Sequence, residues 1–365
     1  MSYSTEQKVP KVIADVTVEW MRQAMSSAFP HGQLKDIEIE TSVGDLGYIG
    51  SIGRVLLSYM EPTEDLPSSV IIKFPSADEA VSKDGNQIRA YEKEALFYRR
   101  FANMGVGRAP RHYFSVCEPA SEEFVLITED LKGLRFVTST EGASMEDCRA
   151  VIKALAKIHG TFWQSDEVAG AGLGDIKDWE NSFVPLINKG ANDLKTNFGH
   201  LVDTRFMQSW EQGINAYSHA VGGLSSRPCT LMHGDAHIRN VAFEDGHEHP
   251  VRYFDWQLCA RGPAAYDVLF FLATSMNVSE QNLYMDAILQ LYIEELNSNG
   301  ASYSLAQLEQ DLRLAGVSFW GYLGFLGNIF PTDEATFELV RASAPRYTNL
   351  VERFDSYSLL ENLGR

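Results

Sequence analysis

The stretch LMHGDAHIRNVAF, residues 231–243, holds an aspartate and an asparagine five positions apart between two apolar runs. Asp235 follows the run CTLM, and Asn240 comes directly before the run VAF. Either residue on its own is most simply a turn residue or a helix cap. At this spacing the two match the catalytic loop of phosphoryl transfer, in which the aspartate addresses the acceptor hydroxyl and the asparagine binds a metal. The stretch therefore predicts Asp235 as the catalytic carboxylate and Asn240 as a metal ligand.

A second acidic residue follows shortly after this loop. Residues 240–256, NVAFEDGHEHPVRYFDW, predict a β-hairpin with Asp245 and Gly246 near its turn, so that Asp255 lies at the end of the second strand. Magnesium prefers hard oxygen ligands and keeps some of its waters, so one carboxylate and one amide oxygen beside nucleotide phosphates are sufficient. The hairpin therefore predicts Asp255 as the second magnesium ligand.

Phosphoryl transfer from a nucleotide also requires a cation that binds the phosphates and an acid that holds this cation in place. Two charged residues upstream could supply them. Lys73 ends a β-branched apolar strand in SSVIIKFP (68–75), where a charge is either a solvated strand end or a phosphate ligand. Glu94 lies on the following helix, for which residues 86–104 have the apolar spacing. No basic residue lies three or four positions from Glu94, so the usual intrahelical ion pair is missing. The pattern predicts that Glu94 pairs with Lys73 and keeps its ammonium extended toward phosphates.

The turn GDLGYIGSIGRV, residues 44–55, has two interpretations that stay open. Its backbone N–H groups could cover the phosphates of a nucleotide, with Ser51 contacting the terminal phosphate. A flexible hairpin is the other interpretation, since the turn does not have GxGxxG spacing. The glycines concerned are Gly44, Gly47, Gly50 and Gly53.

Composition excludes several classes of partner. The 365 residues are 45% hydrophobic, which is ample for folded cores, and carry a formal net charge of −18. An acidic surface repels nucleic acid and anionic lipid, so neither a nucleic acid nor a membrane is expected as a partner. Residues 314–332 carry no charge over 19 positions, but Gly, Ser, Asn and Pro interrupt them, and a buried helix is predicted.

The cysteines indicate a reducing compartment. No pair among the four has CxxC spacing, so buried free thiols are expected. The N-terminal sequence MSYSTEQKVPKVIADV has no apolar signal core. These two features favour a cytoplasmic protein.

The order of predicted elements gives an α+β architecture with two lobes. Residues 1–130 predict a small, mostly antiparallel sheet with one important helix, which would form a nucleotide-binding N-lobe. Residues 131–365 predict a mainly helical C-lobe with the catalytic loop and the acceptor pocket. Its first helix, within 144–163, opens on a capping box of Ser144 and Asp147. Further helices are expected over 263–275, 280–297, 304–330 and 334–358.

Several stretches resemble the aminoglycoside phosphotransferase and choline kinase superfamily, the small-molecule relatives of protein kinases. Within it, the chain is most similar to the ecdysteroid-kinase-like branch. The resembling stretches, in family order, are YEKEALFYRRF (91–101), VLITEDL (125–131), LAKIHGTFW (155–163), MHGDAHIRNVAF (232–243), YFDWQ (253–257) and RGPAAYDVLFFLA (261–273).

The resemblance implies a bilobal protein-kinase-like fold with ATP in its cleft and Mg2+ as the metal. Lys73 would contact the phosphates and Glu94 would pair with it. The TEDL stretch, with Glu129 and Leu131, would be the hinge whose backbone groups bind adenine.

For the C-lobe the resemblance implies a catalytic role for Asp235 and magnesium binding by Asn240 and Asp255. Asp267, in AAYDVLFF, would be a structural acid that supports the catalytic loop. His233 is interpreted as a hydrogen-bonding residue that shapes this loop rather than as an acid or base.

Two departures from protein kinases concern the acceptor. Gly234 stands where protein kinases have the arginine of HRD, and only 11 residues separate Asp255 from Asp267. That spacing leaves no room for a long activation segment that docks a peptide. The acceptor is therefore expected to be a small molecule with a hydroxyl group.

The sequence favours one class of acceptor molecule, and several alternatives stay open. Trp256, Trp320 and Tyr322 as a group suggest an aromatic-lined pocket, which favours an apolar alcohol. An aminoglycoside, a choline-like cation held by aromatic faces, or a polar acceptor of the fructosamine or homoserine type are the alternatives. A pseudokinase that binds nucleotide without turnover is the alternative from another class. His247 and His249, on the tip of the predicted hairpin, are interpreted as solvated rather than metal-binding.

Overall fold

The computed structural model describes residues 8–40, 50–118, 120 and 123–363. The chain divides into two compact units, Met1–Gly133 and Leu134–Arg365. The sequence-based prediction placed the boundary after residue 130. The α+β class with an antiparallel sheet followed by a mainly helical part is confirmed.

The described part of the first unit contains one antiparallel sheet of five strands, in the order β1-β2-β3-β5-β4. Three short 3-10 turns, Ile13–Asp15, Ala102–Met104 and Val106–Arg108, complete its helical parts. The main elements in chain order are α1 (Val18–Met25), β1 (Leu34–Glu40), β2 (Gly50–Tyr59), β3 (Ser69–Pro75), α2 (Glu79–Gln87), α3 (Ala90–Arg100), β4 (His112–Glu118) and β5 (Glu123–Glu129).

Alternation along β3 decides where its lysine lies. Val70, Ile72 and Phe74 are fully buried in the core that the sheet shares with α1. Successive side chains of a strand point to opposite faces, so Lys73 lies on the other face of the sheet. The residue that it meets there is Glu94 of α3.

The predicted helix over 86–104 is wrong in its extent. The chain forms α2 and α3 with a break between them, where Arg89 takes a left-handed conformation with φ 59°. The Arg89 guanidinium forms two 2.8 Å bonds with the Glu92 carboxylate in the first turn of α3. Ile88, beside it, is buried. Apolar periodicity continues through such a corner, so the sequence pattern did not reveal the break.

The second unit is mainly helical. Its strands form two small sheets, with β10 beside β7 and with the order β6-β8-β9. The elements in chain order are β6 (Arg135–Phe136), α4 (Met145–Thr161), α5 (Asp166–Ala169), α6 (Trp179–Phe198), α7 (Thr204–Gln208), α8 (Trp210–Ser225), β7 (Cys229–Met232), β8 (Val241–Phe243), β9 (Val251–Tyr253), β10 (Ala260–Pro263), α9 (Ala264–Ser275), α10 (Val278–Ser298), α11 (Leu305–Gly316), α12 (Ser318–Leu326), α13 (Glu334–Arg353) and α14 (Tyr357–Leu363).

The predicted hairpin and the capping box on α4 are confirmed. Two long predicted helices, 304–330 and 334–358, are each divided in two. The first divides after Gly316, against which Ser356 packs so closely that a side chain there would collide with its hydroxyl. The second divides near Asp355, which has a φ of 55°. Helices α6, α7 and α8 were not assigned individually from the sequence.

The uncharged segment 314–332 contains a buried helix, as predicted. In α12 the Trp320 ring is fully buried and stacks on Phe206 with 4.2 Å between centroids. In the ranges that the structure describes, no helix is long and apolar enough to cross a membrane.

Helix α12 packs against α6 both through side chains, with the Phe183 and Phe325 ring centroids 5.5 Å apart, and through a close approach at glycines. A Cβ atom on Gly190 would collide with the backbone carbonyl of Gly324 and the backbone N–H of Asn328. A side chain at position 190 would therefore require the backbone to shift. Gly222 on α8 is a matched contrast, because a Cβ there would meet nothing within 4 Å.

We expect Gly190→Ala and Gly222→Ala to change stability in opposite directions. Gly190→Ala should lower the free energy of unfolding by about 3 kcal/mol, since overpacking against backbone cannot be relieved by a rotamer change. Gly222→Ala should raise it by up to about 1 kcal/mol, since alanine is favoured over glycine inside a helix. Denaturant unfolding of both variants measures this, and an unchanged stability of Gly190→Ala would contradict the close approach of α6 and α12.

Candidate functional site

The loop that follows β7 begins with a residue that must be glycine. Gly234 has a φ of 82°, and a Cβ atom on it would collide with the backbone carbonyl oxygen of Leu258. An arginine at this position, as in HRD, would be both strained and blocked. The departure from the protein-kinase motif therefore follows from the close approach of residue 258.

A buried carboxylate fixes the start of this loop. Asp267, fully buried in the first turn of α9, accepts hydrogen bonds from the backbone N–H groups of His233 at 2.6 Å and Gly234 at 2.9 Å. His159 of α4 lies against the same carboxylate, with Nε2 3.2 Å from Oδ2, and its Nδ1 is 2.8 Å from the Tyr292 hydroxyl. Hydrogen bonds of this kind offset the cost of burying the carboxylate.

His233 connects the loop to the hairpin that follows it. Its Nε2 donates to the backbone carbonyl of Phe254 at 3.0 Å, and its Nδ1 accepts from the backbone N–H of Asp235 at 3.3 Å. Burial lowers the pKa of His233 below its ordinary value, which favours the neutral ring that this donor and acceptor pair requires. His233 thus forms the structural hydrogen bonds expected from the sequence.

Asp235 and Asn240 lie against each other across the loop. The Asn240 side-chain amide donates to the backbone carbonyl of Asp235 at 2.9 Å and to its Oδ2 at 3.1 Å. His237 approaches the same Oδ2, with Nε2 at 3.5 Å. In the part of the chain that the structure describes, the other oxygen, Oδ1, makes no hydrogen bond. The carboxylate is therefore held by one oxygen while the second is left for a ligand.

Asp255 is brought to this loop by the hairpin. The backbone N–H of Phe254 donates to the carbonyl of Asn240 at 3.1 Å, which fixes Asp255 one residue beyond that bond. Asp255 itself has a φ of 62°, uncommon for a residue with a side chain and frequent at functional sites. Burial lowers the pKa of His233, and the charges of Asp267, Asp235 and Asp255 oppose that shift.

The far end of α9 holds the middle of the same loop. The Ser275 hydroxyl accepts a 3.0 Å hydrogen bond from the backbone N–H of Ile238. Helix α9 therefore supports the loop from both of its ends, through Asp267 and Ser275. Ser275 was not identified from the sequence, and neither was His159, which lies within the stretch LAKIHGTFW. No sequence signal singles out Ser275, because the bond joins residues 37 positions apart.

In the first unit the predicted pair of Lys73 and Glu94 forms. The Lys73 ammonium lies 2.8 Å from Oε2 and 3.1 Å from Oε1 of Glu94, and both side chains are buried. Gly50 on β2 makes room for it, because a Cβ there would stand 2.9 Å from Lys73 Cε. Burial strengthens the attraction between the two charges, and the loss of either partner would leave the other uncompensated.

The glycine turn can be followed only in part. Gly44 and Gly47 lie outside the described residues, whereas Gly50, Ser51 and Gly53 belong to β2. The Ser51 hydroxyl accepts a 3.2 Å hydrogen bond from the backbone N–H of Ala77, after β3.

The predicted hinge residues lie at the end of β5. The backbone N–H of Glu129 donates to the Arg111 carbonyl at 2.9 Å, and its carboxylate accepts from the Arg111 N–H at 3.0 Å. Leu131 is buried. Between them Asp130 forms a 2.6 Å ion pair with Arg54, and this hydrogen bond raises the pKa of the guanidinium above its ordinary value.

An aromatic cluster, which we call the aromatic wall, meets the His237 ring through Phe270 at 6.4 Å, and His237 Nε2 lies 3.5 Å from Asp235 Oδ2. Its members come from α9, α12 and α13, and neighbouring rings lie 4.9–6.5 Å apart. Burial raises the pKa of the Tyr322 phenol well above its ordinary value, and the neighbouring Tyr347 and Asp235 raise it further. The wall consists of Tyr266, Phe270, Phe319, Tyr322 and Tyr347.

The two tryptophans that the sequence grouped with Tyr322 belong to the packing of the fold. Trp256 is fully buried against the His233 ring at 4.5 Å, and Trp320 stacks on Phe206. Tyr322 instead belongs to the aromatic wall, where it meets Phe270 at 4.9 Å.

The donor set suits magnesium rather than a softer metal. Asn240 and Asp255 present an amide and a carboxylate, the hard oxygen groups that magnesium accepts beside phosphate oxygens. Among the described residues, no group of three or more His, Cys, Asp and Glu side chains could hold a metal ion. His247 and His249 are exposed on the hairpin tip.

Comparison with solved structures shows the fold. The choline kinase from Streptococcus pneumoniae has a TM-score of 0.55 at 13% identity, over 93% of this chain and 99% of that chain. The Plasmodium vivax ethanolamine kinase has a TM-score of 0.55 at 13% identity, over 93% and 89%. The choline kinase from Cryptosporidium parvum has 0.53 at 13%, over 89% and 90%. These similarities confirm the protein-kinase-like fold.

Comparison with sequences gives the family. No curated protein matches the chain. A model of the ecdysteroid kinase-like family matches residues 46–303, which include Lys73, Asp235 and Asp255. The chain therefore belongs to the ecdysteroid kinase-like family, as the resemblance of its motifs implied.

Proposed function

We propose that this kinase-like protein is an ATP- and Mg2+-dependent phosphotransferase that phosphorylates a hydroxyl group of a small molecule. The observation that carries the proposal is that Asn240 donates to Oδ2 of Asp235 on one loop, while the bond from Phe254 to Asn240 holds Asp255 at the end of the hairpin that follows. Such a set of residues is needed for transfer to a hydroxyl, and binding alone does not require it.

Asp235 would act on the acceptor hydroxyl. Its Oδ1 would accept the proton as the hydroxyl oxygen forms a bond to the γ-phosphorus of ATP, and the bond to the departing ADP breaks. The bond from Asn240 to Oδ2 keeps the carboxylate oriented during this step. A positioned base of this kind contributes about 10²- to 10⁴-fold to a rate.

Asn240 and Asp255 would hold the metal. When bound, Mg2+ neutralises charge on the phosphates and holds them for transfer. The role of the protein is to fix the two metal ligands, Asn240 and Asp255, relative to Asp235. It does so through the bond from Phe254 to Asn240 and the bond from His233 to Phe254.

The first unit would bind the nucleotide. Lys73, held extended by Glu94, would contact phosphates. Backbone groups at Glu129, the last residue of β5, and at the buried Leu131 would bind adenine. Ser51 stays a candidate for the terminal phosphate, although its hydroxyl already bonds Ala77.

For the acceptor we favour an apolar alcohol. Beside Asp235 stands the aromatic wall, none of whose members carries a carboxylate, and two basic side chains, His237 and Arg239, belong to the same loop. A polycationic aminoglycoside would meet these groups without a carboxylate among them, whereas a choline-like cation held on aromatic faces stays the alternative. A flat or apolar alcohol would instead bury its surface on the wall.

The setting follows from composition. A net charge of −18 argues against a nucleic acid partner, and four free thiols, three of them buried, suit a reducing compartment. We therefore propose a cytoplasmic location for the reaction.

We expect Asp235→Asn to lower kcat by about 10²- to 10⁴-fold, because the amide cannot accept the acceptor proton. ATP affinity should stay within about threefold, since the fold and the other ligands are retained. Coupled ADP release with a panel of alcohols measures the first quantity, and calorimetry with ATP and magnesium measures the second. Asp193→Asn, an exposed position on α6, is the matched control.

Two outcomes of that experiment would overturn parts of the proposal. Normal turnover by Asp235→Asn would remove the catalytic assignment. A wild-type protein that binds ATP with magnesium but phosphorylates no alcohol of the panel would be a pseudokinase.

We expect Lys73→Met to lower kcat/KM for ATP by at least about tenfold, because the phosphates lose a charged partner. Glu94 acts through Lys73, so Lys73→Met combined with Glu94→Gln should be no slower than Lys73→Met alone. The double variant also avoids an unpaired buried carboxylate, and thermal unfolding checks that it folds. Lys83→Met, exposed on α2, should behave as wild type. Independent, multiplying losses would mean that Glu94 does not act through Lys73.

We expect Asp255→Asn to raise the magnesium concentration for half-maximal activity by at least about tenfold, because a charged metal ligand becomes neutral. A magnesium titration at saturating ATP measures this. Asp245→Asn is the control on the same hairpin, since its carboxylate is 63% exposed and pairs with Arg135. An identical magnesium requirement in Asp255→Asn and Asp245→Asn would rule out Asp255 as a ligand.

A further inference from the structure

Arg346 of α13 is a buried arginine whose hydrogen-bond partners are all neutral. It is 3% exposed. Its guanidinium donates to the backbone carbonyls of Ser139 at 2.6 Å, Thr274 at 3.2 Å and Thr140 at 3.3 Å, and to Asn277 Oδ1 at 2.7 Å. In the described part of the chain no carboxylate accepts a hydrogen bond from it.

The positions of these hydrogen-bond acceptors explain how the buried positive charge of Arg346 is stabilised. Burial lowers the pKa of the Arg346 guanidinium, but arginine stays charged in proteins. Thr274 lies in the last turn of α9, where the free carbonyl groups of a helix form the negative end of its dipole. The guanidinium thus stabilises the C-terminal end of α9.

The segment that leads into α4 closes around the same point. Gly142 has a φ of 75°, and a Cβ there would stand 2.8 Å from Arg346 Nη2 and 2.9 Å from the Ser275 carbonyl. The backbone N–H of Ala143 donates to that carbonyl at 2.7 Å. We call Arg346, residues 139–143 and the end of α9 the α9 junction.

The α9 junction reaches the catalytic loop through one residue. Ser275 gives its carbonyl to the junction and its hydroxyl to the backbone N–H of Ile238, at 3.0 Å. Ile238 lies between Asp235 and Asn240. A shift at the end of α9 would therefore displace the middle of the loop that carries both functional side chains.

The next residue on α13 faces the acceptor side of the same region. The Tyr347 ring stacks on Phe319 at 5.6 Å and meets Tyr322 at 6.2 Å, within the aromatic wall. Helix α13 thus contacts the wall through Tyr347 and the loop support through Arg346.

We propose that Arg346 is a positioning residue for phosphoryl transfer, which holds Asp235 in register through Thr274, Ser275 and Ile238. This inference rests on the proposed function. Loss of Arg346 should therefore impair the chemical step rather than binding, because Arg346 would contact neither ATP nor the acceptor alcohol.

The test compares Arg346→Lys with Ser275→Ala. Lysine keeps the charge but cannot reach four acceptors at once, and alanine removes only the hydroxyl that bonds Ile238. We expect each change to lower kcat by about tenfold or more, since a misplacement of about 1 Å costs about a hundredfold. KM for ATP and for the alcohol should stay within about twofold. Thermal unfolding confirms that each variant is folded at the assay temperature.

The double variant separates positioning from general destabilisation. If Arg346 acts through Ser275, Arg346→Lys with Ser275→Ala should lose no more kcat than the worse single variant. Losses of kcat that multiply, or a rise in KM with kcat unchanged, would overturn the inference. Arg353→Lys on the same helix, whose exposed guanidinium pairs with Asp286, is the control and should keep wild-type kcat.

The outcome is distinguishable from failure of the proposed function. A wild-type protein that transfers no phosphate overturns the proposed function. A wild-type protein that transfers phosphate while Arg346→Lys does so at the same kcat overturns only the role of Arg346.

Discussion

The carboxylate of Asp267 is the interaction on which the rest of the site depends. It is fully buried and accepts two backbone N–H groups of the loop that carries Asp235. A buried carboxylate without such bonds would cost several kcal/mol, so the loop and the acid stabilise each other. Gly234, which donates one of these N–H groups, has a left-handed backbone, and a Cβ atom on it would collide with the Leu258 carbonyl. The identity of that residue is therefore a consequence of the buried acid and the neighbouring chain.

Helix α9 is buried on all sides, and it makes contacts along its whole length. Its first turn holds the start of the catalytic loop through Asp267, and its last residue holds the middle through Ser275. Between them Tyr266 and Phe270 supply part of the aromatic wall. The two contacts that support the loop and two rings of the aromatic wall thus lie on one helix.

The residues that the sequence predicts for the candidate site are those whose positions follow from local geometry. Asp235 and Asn240 are five residues apart, and a hairpin of predictable length returns Asp255 beside them. The support for the loop is not local: His159 meets Asp267 across 108 positions, and Arg346 meets Ser139 across 207. No periodicity records such contacts. Helix ends were missed at Arg89 and Asp355 for a related reason, since apolar spacing continues through a single left-handed residue.

Buried charges in this chain are compensated in two different ways. Lys73 and Glu94 neutralise each other directly, so each becomes a liability when the other is removed. Asp267 and Arg346 are each surrounded mainly by backbone groups: the acid takes N–H donors at the start of α9, and the arginine takes carbonyls at its end. That order follows the dipole of α9, with a negative charge at its positive end and a positive charge at its negative end. Helix α9 is thus held at its start by its own Asp267 and at its end by Arg346 of α13, and the loop between β7 and β8 takes its position from contacts at both ends of this helix.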